Sequence, residues 1–312
     1  MSQLAHFAWA TLCWNVTVIL WGAYVRATGS GAGCGNRWPL CDGDVVGASA
    51  KAQTVVEFTH RMTSVVSLLM VTGLVVWCWR VTCKGDWARY SALLAAAFLA
   101  NEALLGAALV LLKHVSNDQS VDRMLFLCLH LGNTLLLLAA LSLTAAWLSS
   151  DSGSFRFALK WGQLGAIGIG LLAMIATGIT GAVVALADTL FPATTLRSSL
   201  AQDLNPGTSA LLHFRLLHPA VAVVATCYVL WVIVRIATGP KRFPLRAIAL
   251  VAAIFVQVGI GLMNVLLLVP VWVQIVHLFA ADVLWILLVL TSADLVLERA
   301  TRHPVSALVS GV

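Results

Sequence analysis

Charged residues are scarce in this sequence. Only 10% of its 312 residues are Asp, Glu, Lys or Arg, whereas 60% are hydrophobic. A soluble domain usually carries roughly a quarter of charged residues, because even a domain with a large core needs a charged exterior. The composition therefore excludes an ordinary soluble fold and indicates that lipid surrounds most of the protein surface.

The sequence also lacks a clustered basic surface and a cleavable leader. Its net charge of +6 is spread over short segments between long apolar runs, which is typical of membrane topology and argues against nucleic-acid binding. The first apolar run, at about 6–25, is too long for a signal-peptide core and has neither a basic leader nor a clear small-residue cleavage site. We therefore expect it to remain as the first membrane span.

Long apolar runs dominate what is present. A helix needs about 20 apolar residues to cross the hydrocarbon core of a bilayer, and eight segments meet that length. The sequence thus predicts an all-α integral membrane protein. The expected spans are 7–26, 55–79, 89–112, 122–148, 159–187, 209–236, 246–269 and 271–296.

The distribution of Lys and Arg predicts the orientation of these spans. Basic residues are concentrated in the loops after the even-numbered spans, most clearly at 235–246, whereas acids balance most of those in the other loops. By the positive-inside rule, the even-numbered loops and both termini are cytoplasmic. We expect a multi-pass protein of the cell inner membrane.

An internal repeat divides the chain. Four pairs of matching features recur in the same order at an offset near 150–160 residues: Gly22-Ala23 with Gly181-Ala182, His60 with His218, Glu102…Gly106 with Gln257…Gly261, and His130 with His277. Because four spans return the chain to the same side, both halves enter the membrane in the same direction. We expect two four-helix bundles, 1–150 and 151–312, related by a pseudo-twofold axis along the membrane normal.

Four histidines lie at similar depths in the even-numbered spans. His60, His130, His218 and His277 are each placed about 8–15 Å below the outer start of their helix. Two imidazoles per half suit a planar heme, whose iron takes axial nitrogens from opposite sides. The alternative is that they only form hydrogen bonds between helices. A zinc site fits poorly, because no Cys, Asp or Glu completes a tetrahedron beside them.

The repeat is broken three residues before the first histidine of each half. Glu57 precedes His60, whereas Arg215 precedes His218. An arginine there is the expected partner of a heme propionate. A carboxylate would repel propionates, so it indicates a reaction site in which it transfers a proton or stabilises positive charge. The alternative is a solvated Glu at the start of a helix.

The first outer loop is rich in glycine and carries two cysteines, Cys34 and Cys41. They are close in sequence and, with the predicted orientation, lie on the oxidising side of the membrane, so they are able to form a disulfide. Such a disulfide either staples the loop or exchanges electrons, and the sequence leaves both roles open.

These motifs together resemble the heme A synthases. The resemblance rests on the run Gly29-Ser-Gly-Ala-Gly-Cys34-Gly-Asn-Arg-Trp-Pro-Leu-Cys41 and on Glu57-Phe-Thr-His60-Arg61. The later His130, Arg215-Leu-Leu-His218 and His277 also stand where that family has them, so the resemblance covers nearly the whole chain.

The resemblance implies an oxidoreductase that converts heme O to heme A for cytochrome oxidase. Two hydroxylations of the C8 methyl group are followed by dehydration to a formyl group. The resemblance places substrate heme O between His60 and His130 with Glu57 as the catalytic carboxylate, and a heme b cofactor between His218 and His277. A farnesyltransferase that makes heme O is then a candidate partner; the electron partner and self-association are left open.

Two features set bounds on this interpretation. The segment 188–206 lacks the second outer cysteine pair that some members of the family have, so an electron route through thiols in the C-terminal half is in doubt. Iron held by two histidines also has no free position for oxygen, so one ligand leaves or oxidation proceeds without oxygen binding. The alternative function is a di-heme b cytochrome that carries electrons without catalysis.

Overall fold

A computed structural model describes residues 2–35, 37–41, 51–115, 118–150, 155–157, 159–237 and 245–299. Within these ranges eight helices are long and apolar enough to cross a membrane, which confirms the all-α membrane fold and all eight expected spans. The spanning helices are α1 Gln3–Ala27, α2 Ala52–Val81, α3 Trp87–Leu111, α4 Val121–Ser149, α5 Trp161–Leu190, α7 Ala210–Ala237, α8 Leu245–Leu266 and α9 Val271–Val296.

Besides a single 3₁₀ turn at Ser30–Ala32, three elements lie outside the spans, and the sequence pattern did not predict them. Helix α6, Leu196–Leu204, lies in the loop between α5 and α7. Strands β1, Phe155–Phe157, and β2, Leu297–Arg299, form an antiparallel pair between the ends of α4 and α9. None is long enough to produce a periodic apolar signal, which explains why the pattern missed them.

Local sequence defines where several helices begin. The Ser2 hydroxyl accepts the N–H of Ala5, the Asp86 carboxylate accepts that of Ala88, and the Ser120 hydroxyl accepts that of Arg123. Each cap satisfies one backbone donor that the first turn of a helix leaves without a partner. These residues therefore mark the starts of α1, α3 and α4 at the ends of the apolar runs.

The outer surface of the helices is apolar, as contact with lipid requires. Leu69, Leu104 and Leu172 are 66%, 68% and 66% exposed, respectively. The inner surface is closely packed around fully buried residues such as Leu74, Leu138 and Leu141. A soluble protein would hide the first group, so the exposed leucines agree with a bilayer environment.

Helices α1–α4 pack on one another, and so do α5 with α7 and α8 with α9. Helices α1 and α4 also contact α9, and α4 contacts α5, which joins the two groups. At this junction the Trp285 indole N–H donates to the Leu135 carbonyl at 2.6 Å. These contacts agree with two four-helix halves; the symmetry axis, the division at residue 150 and the orientation in the membrane stay predictions.

Candidate functional site

Each of the four histidines packs against a glycine of a neighbouring helix. A Cβ atom built on these glycines would lie close to the imidazole ring: 2.9 Å from His60 at Gly22, 3.6 Å from His130 at Gly106, 3.1 Å from His218 at Gly181 and 3.1 Å from His277 at Gly261. At three of the four positions even a methyl group would crowd the ring. The matching glycines of the sequence repeat therefore have a shared structural role.

The histidines lie at comparable depths and close together within each half. His277 lies six residues beyond the first residue of its helix and the other three lie eight or nine, which corresponds to about 9–14 Å. His130 lies within electrostatic range of His60, and His218 within that of His277. The structure thus places the two histidines of each predicted pair near each other.

Glu102 of α3 forms an ion pair with His130, one of the two histidines of the N-terminal half. Its Oε1 atom lies 2.7 Å from Nδ1 of His130. The same carboxylate accepts hydrogen bonds from the Asn133 amide and the Thr134 hydroxyl, both on α4. Because a carboxylate only accepts, His130 carries its hydrogen on Nδ1, which leaves the lone pair of Nε2 available to a metal.

The C-terminal pair has neutral partners. The Nδ1 atom of His218 lies 3.0 Å from the hydroxyl of Thr180, which itself donates to the Thr177 carbonyl and so accepts from the ring. The side-chain amide of Gln257 lies 3.4 Å from Nε2 of His277. Thr180 and Gln257 therefore contact the histidines of the second half without bringing a charge.

His60 has a different environment. Its Nδ1 atom is buried and has no hydrogen-bond partner among the described residues. At the repeat offset of 159 residues, the position of Thr180 is occupied by Trp21, whose indole N–H donates to the Val56 carbonyl at 3.1 Å. No hydroxyl is thus offered to His60 from that position.

Glu57 lies between the helix that carries His60 and the outer loop. The residue is only 3% exposed, so the alternative of a solvated Glu at a helix start is wrong. Its carboxylate accepts the backbone N–H of Cys34 at 2.8 Å and forms an ion pair with Arg61. Its predicted role as a catalytic carboxylate stays a prediction.

The outer loop is held against α2 by several contacts. The predicted disulfide joins Cys34 and Cys41. Arg61 donates to the carbonyls of Arg37, Pro39 and Leu40 at 2.8, 3.1 and 3.3 Å. The loop therefore forms a fixed cover at the outer end of α2.

Arg215 is surrounded by acceptors at the C-terminal ends of α5 and α6. Its Nε atom donates to Asp188 at 2.7 Å, and its Nη1 atom donates to Gln202 and Asp203 at 3.2 and 3.3 Å. Its Nη2 atom donates to the Phe191 carbonyl at 2.7 Å. The predicted contact with a heme propionate stays a prediction, and the described partners tie α7 to the loop that contains α6.

Four side chains beside the histidines, those of Glu102, Thr134, Thr180 and Gln257, were not predicted as site residues. The internal repeat could have indicated two of them, because Glu102 and Gln257 each stand four residues before a matching glycine. Their contacts with histidine depend on how the helices pack, which the repeat does not specify.

The residues present fit two heme groups. The described part of the chain holds no cluster of three or more His, Cys, Asp or Glu side chains suited to a metal ion. A heme supplies four equatorial nitrogens itself and requires only two axial ligands, which two facing imidazoles provide. The glycines beside all four rings, which leave room around the imidazoles, agree with that use.

Comparison with known proteins gives a consistent result. The model of the cytochrome oxidase assembly protein family, COX15-CtaA, matches residues 5–289. A Thermus thermophilus protein named protoheme IX farnesyltransferase is 43% identical over 308 residues, which cover 97% of this chain and 50% of that protein. Heme A synthases of Geobacillus kaustophilus and Bacillus mycoides are 37% and 40% identical over 108 and 95 residues, which are 35% and 30% of this chain and 34% and 30% of theirs.

Proposed function

Because this chain belongs to the cytochrome oxidase assembly protein family that its sequence matches over residues 5–289, we propose that it acts in heme A formation as a membrane oxidoreductase. The chain spans about half the length of the Thermus protein and matches about a third of the heme A synthases, so the proposal needs support from its own residues. Two pairs of intramembrane histidines, each with its ring packed against a glycine of a neighbouring helix, carry it.

The specific reaction proposed is the conversion of heme O to heme A by two hydroxylations of the C8 methyl group and a dehydration to the formyl group. The iron of the bound groups supplies the redox chemistry. Residues 1–150 hold the substrate heme between His60 and His130. Residues 151–312 hold a heme b cofactor between His218 and His277.

Three features distinguish the two proposed sites. The first half places a carboxylate, Glu102, on His130 and buries another, Glu57, one turn outward from His60. The second half has neutral partners for its histidines and the guanidinium of Arg215 in the place of Glu57. A site with buried negative charge suits stabilisation of positive charge and proton transfer, which supports Glu57 as the catalytic carboxylate.

A farnesyltransferase that makes heme O is proposed as a partner. The Thermus protein that carries the name protoheme IX farnesyltransferase is twice as long as its match to this chain. A region similar to this chain and a second region of similar size are thus joined in one polypeptide. Such a union supports transfer of heme O between neighbouring proteins in the membrane. We place the protein in the cell inner membrane with cytoplasmic termini and outer-side hemes.

Analysis of extracted hemes tests the function directly. The protein is produced in cells that also make heme O, and the hemes bound to it are separated and identified. Hydroxymethyl and formyl derivatives of heme O are expected. Asp294→Asn, which removes an exposed carboxylate at the opposite end of α9, serves as the matched control and should give the same products.

Two results would contradict the proposal. Unchanged heme O together with intact b-type spectra would favour the di-heme b cytochrome. Formation of heme O from heme b and farnesyl diphosphate by this chain alone would instead indicate a transferase, as the name of the Thermus protein says of that protein.

A further inference from the structure

The four histidines differ in what contacts the ring nitrogen that faces away from the proposed iron. His130 donates from Nδ1 to a carboxylate, and His218 pairs its Nδ1 with a hydroxyl. His277 and His60 have no partner on Nδ1 among the described residues; the Gln257 amide lies beside the other ring nitrogen of His277, Nε2. The largest contrast between two facing rings is therefore in the N-terminal half.

A carboxylate on the outer nitrogen changes an imidazole in two ways. It fixes the orientation of the ring, and it increases the electron density on the other nitrogen, which makes the ring a stronger ligand. Charge-assisted hydrogen bonds are roughly twice as strong as neutral ones, so the Thr180 hydroxyl beside His218 does not have the same effect. His130 is thus the strongest donor of the four.

Glu102 is itself held in place. Asn133 donates both to Glu102 and to the Phe98 carbonyl, and it accepts from the Asn101 amide at 2.9 Å. Thr134 contacts the other carboxylate oxygen. These residues all lie on α3 and α4, so His130 is fixed by a hydrogen-bonded network within one helix pair.

Within the described ranges, packing is what positions the ring of His60. Its ring lies on Gly22, and the neighbouring Trp21 directs its only N–H to the backbone of α2. Glu57 and Arg61, which share the helix with His60, are engaged by each other and by the outer loop. A ring without hydrogen bonds loses fewer contacts when it moves than a ring within a network.

We propose that Glu102 is a positioning residue that makes His130 the permanent axial ligand of the N-terminal heme, and that His60 is the ligand that leaves to open a coordination position. This inference rests on the proposed function. Release of His60 would break one iron–nitrogen bond and leave its electron pair on the neutral ring, with no proton or electron transferred. It would remove the conflict between two-histidine ligation and reaction at iron.

A charge-neutral variant of the purified protein with both hemes bound tests the role of Glu102. Glu102→Gln replaces the carboxylate with a neutral amide, and it should shift the midpoint potential of one heme upward, because His130 becomes a weaker donor. The same change should leave the potential of the other heme where it was. Asp294→Asn, which is remote from both sites, should shift neither.

Ligand exchange in the reduced protein tests the role of His60. Carbon monoxide should bind at one heme, and His60→Ala should raise its affinity at least tenfold because no ring competes for that position. In His60→Ala without carbon monoxide, the iron–histidine stretching band in the resonance Raman spectrum reports on His130. That band should fall in frequency when Glu102→Gln is added.

Defined outcomes would overturn the inference. They are potentials that do not respond to Glu102→Gln, or an iron–histidine band that does not respond to it. If Glu102→Gln does not fold, Thr134→Val is used; it should shift the same potential downward, because a carboxylate with fewer donors accepts more strongly from His130. Bound hemes that are insensitive to these changes contradict this inference only, whereas a protein that binds no heme contradicts the proposed function.

Discussion

Glu57 and Arg61 form a buried ion pair one turn apart on α2, and the same carboxylate accepts the backbone N–H of Cys34. The helix that carries His60 and the disulfide loop are therefore joined by one side-chain pair. A change at Glu57 acts on both the proposed reaction site and the loop that covers it.

Replacement of Glu57 should separate heme binding from catalysis. Glu57→Gln retains an acceptor for the Cys34 N–H but removes the negative charge, so we expect both hemes to remain bound and the hydroxylated products to be lost. Glu57→Ala should have the same effect on product, with a further loss of stability of about 3–5 kcal/mol because the buried charge of Arg61 loses its counter-ion. Heme extraction and absorption spectra measure both effects. Product formation by Glu57→Gln would remove the charge of Glu57 from the mechanism.

Replacing the glycines that pack against the histidines by alanine should disturb the bound heme, and more strongly where the new Cβ would lie closer to the ring. Gly22→Ala should disturb its heme most, because the new Cβ would lie 2.9 Å from the His60 ring, and Gly106→Ala least, because 3.6 Å is an ordinary contact. Heme content and the visible spectrum of the purified protein provide the measurement.

A matched control for this series lies on α8. Gly261 faces His277, whereas Gly259 has open space where a Cβ would be. Gly261→Ala should alter the spectrum of the C-terminal heme and Gly259→Ala should leave it unchanged. Equal effects at the two positions would mean that alanine acts through the conformation of α8 and not through contact with the His277 ring.

The disulfide should contribute stability to the outer loop. Cys34 and Cys41 are separated by seven residues, and closing a loop of that size stabilises the fold by about 2.5 kcal/mol in the chain-entropy treatment. Cys34→Ala/Cys41→Ala should therefore lose its hemes at a lower temperature and retain some product formation. Unchanged thermal stability together with complete loss of product would instead indicate a redox-active pair.

Arg215 should stabilise the segment that contains α6, because it connects α7 to residues of that segment and of α5. Arg215→Lys cannot reproduce the donors that reach Asp188, Asp203 and the Phe191 carbonyl, so we expect a loss of about 3–5 kcal/mol and a lower content of heme b. The control is Arg246→Lys, whose partner Asp294 is 44% exposed and whose effect should be within about 1 kcal/mol. Normal heme b in Arg215→Lys would contradict this role.

Much of the fold could be predicted because the required signals are local. A span such as α9 is recognisable from its own residues, since the length of an apolar run directly matches the thickness of a bilayer. The depth of His60 and His218 follows equally from their distance to the start of a helix. The disulfide was predictable because its two cysteines lie in one short loop.

The contacts of the site were less predictable because they depend on which helices are neighbours. Glu102 was visible as an intramembrane acid, yet its pairing with His130 requires α3 to lie against α4 at a particular rotation. Glu57 was placed correctly one turn from His60, but its engagement with Cys34 depends on the path of the outer loop. Periodicity along one helix contains no information on either contact.

The guanidinium of Arg26 leaves its own half of the molecule. It belongs to α1, but it donates to the Ala185 carbonyl and the Thr189 hydroxyl of α5 and to Gln274 of α9. Residue 185 is the counterpart of residue 26 at the repeat offset of 159 residues. The donor Arg26 and its acceptor Ala185 therefore stand at matching positions of the two halves. Ala185 has no side-chain donor with which to return the contact, so the fastening runs in one direction only, from α1 to α5 and α9. Arg26→Ala should therefore loosen α1 from the C-terminal helices without touching either histidine pair.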